Sequence, residues 1–365
     1  MRTIRRLVYR EVLAAVLFVA AGFLALFFFF DFVDELPNVG SGATPYRLTQ
    51  ALLYVSLLVP NHLYELLPIA VLIGTIFVMA RLAQSSEYTI LRTSGLGPAR
   101  ALRTLMVLGL VFTFVTFAVG DYLAPAADRA AQLLRARYQG RISIGQTGAW
   151  LKERKDQATF NVNVRALASD GSLQKVRIFE ADARGFLVGT LEAPRATFAA
   201  DGWQLQDVEV TRFITGGEAP RVERRRVPQL SWPTELSQEM VAVALLRPDR
   251  MSTLDLFQYI RHLEANGQTS QRYEIEFWRK VFYPLSCLVM VVLALPFAYL
   301  HFRSGGITTY VFGGVLIGIS FFLLNNVFGY VGNLRNWWPW LTAAAPGLLY
   351  TLLSLGAFSW LVLRR

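Results

Sequence analysis

Six long apolar stretches, three toward each end of the chain with a polar segment between, decide what this sequence can fold into. A bilayer core of about 30 Å is crossed by roughly 20 residues of apolar helix, because backbone polar groups in hydrocarbon must be satisfied within their own segment. Val12 to Phe30 meets that requirement without a single charge. Thr104 to Gly120, Val281 to Leu300, Ile307 to Val331 and Trp337 to Leu363 are comparable. The remaining stretch, Leu52 to Ala80, carries Pro60, His62, Glu65 and Pro68. Its first part reads as interfacial, with the crossing itself beginning near Leu66. The expected fold class is an α-helical membrane protein with six transmembrane helices, three plus three, and an inserted all-β, jellyroll-like domain. The domains are expected at 1–137, 138–250 and 251–365.

Charged residues are 17% of the chain, against about 25% in a soluble protein. That excludes an ordinary soluble enzyme, a disordered chain and a secreted disulfide scaffold. Cys287 is the sole cysteine, so no intrachain disulfide and no cysteine-based zinc site can form. The formal charge of +10 reflects loop topology and contact with anionic lipid headgroups, not nucleic acid.

Loop charges set the expected orientation. The first apolar run is longer than the roughly 7–15 residues of a signal peptide, and no small-residue cleavage site closes it. Arg2, Arg5, Arg6 and Arg10 precede it and hold the N-terminus in the cytoplasm by the positive-inside rule. Arg81, Arg92, Arg100 and Arg103, then Arg303, then Arg364 and Arg365 fall in inside loops, whereas the short outside loops carry Asp31, Asp34, Glu35, Arg47 and Arg335. Trp337, Trp338 and Trp340 suit an outer interfacial belt. Both termini are expected inside and the large middle segment outside.

From about Arg141 to Pro233 the period changes to two. Phe160, Val162 and Val164 alternate with polar neighbours, as do Val208 and Val210, with Asp170-Gly171 and Asp201-Gly202 placed as hairpin turns. Several short strands at this spacing indicate a sandwich, roll or jelly roll. It reads equally as a structural adaptor or a lipid-handling groove. Beyond it, Leu254, Phe257, Ile260 and Leu263 predict an amphipathic helix over 252–264, capped by Ser252 or Thr253 and ended by Gly267.

The search for chemistry is mostly negative. Phosphate-loop, H-E-x-x-H and G-x-S-x-G patterns are absent. His62, His262 and His301 are scattered, and the close-set carboxylates Asp31, Asp34 and Glu35 read as solvated. Any energy for transport must come from a partner or an ion gradient. The most informative loop is Gln84 to Gly95, where Ser85 or Ser86 can cap a short helix that Gly95 ends. Such a helix is either a plain intracellular turn or a docking element for a cytoplasmic motor. Asn325 and Asn326 are expected to face protein or a cavity. Gly313, Gly314 and Gly318 permit close helix contact or a movable gate. Arg135 and Arg137 can meet anionic lipid groups or serve as generic headgroup contacts.

Two segments carry a resemblance. Ser86-Glu87-Tyr88-Thr89-Ile90-Leu91-Arg92-Thr93-Ser94-Gly95 is similar to the coupling-helix motif of the LptF/LptG permeases of the lipopolysaccharide exporter. Gly267 to Phe297, with Tyr273, Trp278, Lys280 and Pro284-Leu285-Ser286, resembles the LptG branch more than its paralogue LptF. The resemblance implies a non-catalytic permease subunit of an ABC exporter in the bacterial inner membrane. That exporter takes lipopolysaccharide from the outer leaflet and passes it to a periplasmic bridge. It implies as partners an LptF-like permease, an LptB-like ATPase dimer and the single-span LptC. ATP and Mg2+ would be used by that ATPase, with no cofactor on this chain. By the same resemblance Glu87, Tyr88, Ile90, Leu91 and Arg92 touch the ATPase. Phe27 to Phe30 and Phe312 to Phe322, among them Phe321, would line the cavity and gates. The family carries lysines near the outer end of the first span, where this chain has Asp31 to Asn38, so Arg135, Arg137 and Arg47 stand as substitutes for phosphate contact. The alternatives are an LptF-type paralogue, a gradient-driven transporter and an envelope scaffold.

Overall fold

The computed structural model describes residues 2–40, 46–85, 87–93, 97–139, 148–155, 158–168, 170–199, 201–214, 221–244, 248–299 and 307–360. In chain order the helices α1 (Arg2–Glu35), α2 (Leu48–Gln84), α3 (Glu87–Thr93), α4 (Pro98–Ala118) and α5 (Ala124–Gln139) precede the sheet. Strands β1 (Ala149–Lys155), β2 (Ala158–Leu167), β3 (Leu173–Ala181), β4 (Leu187–Ala199), β5 (Gly202–Ile214) and β6 (Arg221–Trp232) follow. Helices α6 (Gln238–Ala244), α7 (Thr253–Ala265), α8 (Gln271–Phe282), α9 (Ser286–Ala294), α10 (Ile307–Arg335) and α11 (Pro339–Phe358) complete the chain. Among the described residues six helical segments are long and apolar enough to cross a membrane, and the protein is a helical membrane protein with an inserted β domain. It divides into two compact units, one of Met1–Asp34, Leu58–Ala127 and Glu274–Arg365, the other of Glu35–Leu57 and Asp128–Tyr273.

In the first unit the core is built around α2. Leu72 and Ile76 of α2, Val12 and Val16 of α1, Leu105 of α4 and Met290 of α9 are all buried together. The helix α2 runs unbroken from Leu48 to Gln84, through the expected start of the crossing near Leu66 and with Pro60 and Pro68 inside it. Prolines are tolerated in such helices when neighbours re-satisfy the weakened ladder. The Tyr283 hydroxyl donates to the Glu65 carbonyl, next in sequence to the Tyr64 carbonyl that Pro68 leaves without its helical donor. The interrupted crossing is instead the fourth, where 3-10 turns at Tyr283–Leu285 and Leu295–Tyr299 bracket α9. The third carries a π-helical turn at Val119–Leu123 between α4 and α5. Of the expected gate glycines, Gly314 and Gly318 are contact points: a Cβ there would come within 2.7 Å of Ile76 and 2.8 Å of Ile69.

The second unit holds one antiparallel sheet in the order β1 to β6. Val162 and Val164, and Val176 and Ile178, project into its core at alternate positions; Leu205 and Val208, three apart, both join it, with Asp207 at positive φ between them. Gly171 and Gly202 turn hairpins at positive φ. Trp203 is fully buried, its ring 5.3 Å from Trp232 and its indole N–H donated to the Leu236 carbonyl at 2.8 Å. Val241 of α6 and Tyr259 and Leu263 of α7 belong to the same core, so helices supply the layer over the sheet. Ser252 and Asp255 form a reciprocal capping box on α7. The buried face of α7 is Leu256, Tyr259, Ile260 and Leu263, so Ile260 and Leu263 are buried as predicted. Leu254 and Phe257 point outward.

Candidate functional site

The loop between the second and third crossings contains the short helix α3. Tyr88 is 4% exposed and meets Tyr299 edge-on at 5.2 Å, and Leu91 packs against the same core. Glu87, Ile90 and Thr93 lie on the other side and are exposed. Residues three apart share a helix face, so one face anchors α3 while Glu87 and Ile90 are presented. Arg92 lies in α3, but its side chain is outside the described residues, as are Ser86, Ser94 and Gly95.

The Glu35 end of α1 is acidic; Asp34 is exposed, in keeping with the solvated reading, whereas Asp31 and Glu35 are engaged. Asp31 is 2.6 Å from His62 Nε2, and His62 also lies 5.0 Å from the Phe27 ring. Glu35 is 4% exposed, and Arg135 reaches it at 3.6 Å. The Arg135 guanidinium also donates to the Tyr54 hydroxyl at 3.2 Å and sits over that ring. Arg135 is thus held by the chain's own groups, with its side chain still 41% exposed. Arg47, just before α2, has an exposed side chain, its backbone N–H donated to Gln50 Oε1. Arg137 lies in α5 with its side chain outside the described residues.

The four aromatic candidates separate. Phe30 and Phe312 are exposed, and Phe27 is partly buried against Leu66, Ile69 and Ile73. Phe321 is 2% exposed, with Tyr350 at 5.1 Å and Tyr283 at 6.4 Å, and belongs to the chain's own core.

Sequence reasoning missed the buried polar groups. Lys280, 7% exposed, donates to the Gly120 carbonyl at 2.8 Å and lies 5.6 Å from the Tyr64 ring. Gly120 sits in the π-helical turn, a geometry that leaves carbonyls outside the ordinary ladder. Arg279 bridges Glu276 at 2.9 Å to Asn326 at 3.1 Å, which gives Asn326 its partner, while Asn325 is buried and bonds the Phe321 carbonyl. In the other unit Asp128 pairs with Arg250, and Arg129 with Asp255. Burial opposes the Arg250 charge, but the Asp128 carboxylate beside it holds the guanidinium above its ordinary value. His262 is pushed below its usual range by burial and stacks on Tyr259; His301 lies outside the described residues. Among the described residues no cluster of His, Cys, Asp and Glu is placed to hold a metal ion.

Residues 6–364 match the family of lipopolysaccharide export system permeases LptF/LptG. The chain is similar to the lipopolysaccharide export system permease protein LptG of Escherichia coli strain K12, 28% identical over 338 residues covering 92% of this chain and 90% of that one. It is similar to the protein of the same name from Haemophilus influenzae, 26% identical over 369 residues covering 100% of this chain and 99% of that one.

Proposed function

This chain belongs to the lipopolysaccharide export system permease LptF/LptG family, and from that premise we propose how it works. It is a permease of lipopolysaccharide export and a multi-pass inner-membrane protein. In our reading it couples ATP hydrolysis by a partner ATPase to extraction of lipopolysaccharide from the outer leaflet, with an LptF-like permease as the second half and LptC beside it. Both termini and α3 face the cytoplasm and the sheet faces the periplasm, in keeping with the arginine bias of the loops. ATP and Mg2+ act at the partner.

The observation that carries this reading is α3. Tyr88 and Leu91 fix the helix to the core that joins α1, α2, α4 and α9, so a push on Glu87 and Ile90 is transmitted to the spans instead of being absorbed in a loop. Phe30 and Phe312, exposed on α1 and α10, are our choice for surfaces that meet acyl chains or the second permease; Phe321 supports them from within. Arg135, steadied by Glu35 and Tyr54, and the exposed Arg47 are our choice for phosphate contact, with Arg137 beside them in sequence.

The test is recovery of the ATPase with the tagged chain from mild detergent. Glu87→Arg or Ile90→Asp should lower that recovery about tenfold, the equivalent of ~1.4 kcal/mol, while thermal unfolding of the chain is unchanged. Normal recovery and normal lipopolysaccharide release by both variants would sink the docking assignment.

A further inference from the structure

The sheet carries a feature that coupling to an ATPase does not use. Trp150 is 51% exposed, and its ring stacks on Phe179 at 5.8 Å and 22°. The two side chains come from β1 and β3 and meet across β2. Strand register puts Trp150 in a row with Asn163 and Arg177, and Phe179 in a row with Lys152 and Asn161. All six project from the face opposite Leu151, Val162, Val176 and Ile178, which are buried. Phe179 is half-buried and backs Trp150, whose ring keeps about half of its surface open to solvent.

The surroundings narrow the chemistry. A planar aromatic face packs against the C–H face of a sugar ring, leaving the hydroxyls at the ring's rim to reach amides and charges alongside. Asn161 lies in one of the two rows the rings span; Asn163, in the other, is buried with its amide donated to the Ala149 carbonyl at 3.2 Å and supports the surface from below. The outward charged residues of β1, β2 and the paired part of β3 are Lys152, Arg154, Arg165 and Arg177, with no carboxylate among them. The nearest acid on the neighbouring strand, Glu192, lies 3.6 Å from Arg177. A flat aromatic floor with a cationic rim fits a sugar that bears phosphate or carboxylate groups. A bare acyl chain would gain nothing from the rim, and an acidic peptide would gain little from the floor.

We propose that the outer face of β1 to β3 is a docking platform for the anionic oligosaccharide of the exported glycolipid. This rests on the permease reading and adds to it a station that recognises the sugar and not the lipid. Trp150, backed by Phe179, forms the floor; Lys152 and Arg177 meet the charges.

The experiment places a photocrosslinking amino acid at Lys152 in the full chain, assembled with its partner permease and ATPase in nanodiscs. The particles are loaded with lipopolysaccharide bearing a phosphorylated core, or with lipid A that has no core sugars. Capture of the core-bearing glycolipid and not of lipid A is expected. Trp150→Ala should cut that capture about fivefold to tenfold, the scale of one lost aromatic contact, while Trp150→Phe keeps most of it. Equal capture of lipid A, indifference to Trp150→Ala, or crosslinks to protein alone would each overturn the platform. ATP-driven glycolipid release from the same particles separates the two claims: release without capture removes only the platform, whereas no release of either glycolipid removes the permease reading beneath it.

Discussion

Trp203 in the sheet unit and Lys280 in the helical unit are both large buried side chains whose polar end finds a backbone carbonyl. The indole N–H of Trp203 goes to Leu236 and the ammonium of Lys280 to Gly120, each at 2.8 Å. The resemblance ends there. In a sheet bathed by water, burying an indole removes apolar area from solvent, and that area supplies most of the gain. Between helices in hydrocarbon there is no such gain, because lipid is as apolar as the protein interior. What counts there is that no polar group goes unmet. Trp203 therefore stabilises by volume and Lys280 by satisfaction, and substitutions that separate volume from polarity tell the two apart.

The largest effect is expected from Trp203→Ala. Truncating a fully buried Trp leaves a cavity beside Trp232 and Phe198 and costs about 3–5 kcal/mol. The measurement is protease resistance of the sheet in the full chain, which should fall sharply. Trp203→Phe keeps most of the volume and loses the N–H, so it should cost much less. Lys280→Met reverses the logic. It keeps volume and removes the donor, leaving the Gly120 carbonyl short of a partner at about 1–3 kcal/mol. Unfolding in mixed micelles of rising denaturing-detergent content should show the loss. If Lys280→Met were as stable as wild type, or Trp203→Phe as damaging as Trp203→Ala, the contrast between the units would collapse.

How much of this was legible in the sequence follows the same division. Spans such as Val12 to Phe30 announce themselves because a charge-free run has nowhere else to go, and the strands because Phe160, Val162 and Val164 alternate. The continuity of α2 through Pro60 and Pro68 was not legible, since a proline by itself argues for a helix end and the groups that pack beside it, such as Tyr283 on the Glu65 carbonyl, lie far along the chain. Nor was the Lys280 partnership: a π-helical turn at Gly120 has no compositional mark, and Arg279-Lys280 reads as an ordinary span flank. The α7 pattern fitted two faces, and Leu254 and Phe257 were placed on the wrong one. The separation of Phe312 from Phe321 was within reach, because nine residues at 3.6 per turn is a half-integral number of turns.

The smallest expected effect sharpens the contrast from the solvent-exposed side. Asp182 begins the turn between β3 and β4, where its Oδ1 accepts the backbone N–H groups of Arg184 and Phe186, each at 2.9 Å. The Phe186 bond is foremost in holding the carboxyl below its ordinary value of 3.8. A depressed acid contributes its stabilisation in full above the unfolded pKa and loses it as pH falls through the lower, folded one. Amide exchange at Phe186, followed on the full chain, should be protected at pH 5 to 7 and lose that protection below about pH 4. Asp182→Asn should flatten the pH dependence while leaving global unfolding almost unmoved, since the turn is at the surface and water replaces what is lost. A shift in global stability comparable to that of Lys280→Met would mean that the sheet, too, depends on satisfying individual polar groups, and that volume alone does not hold it.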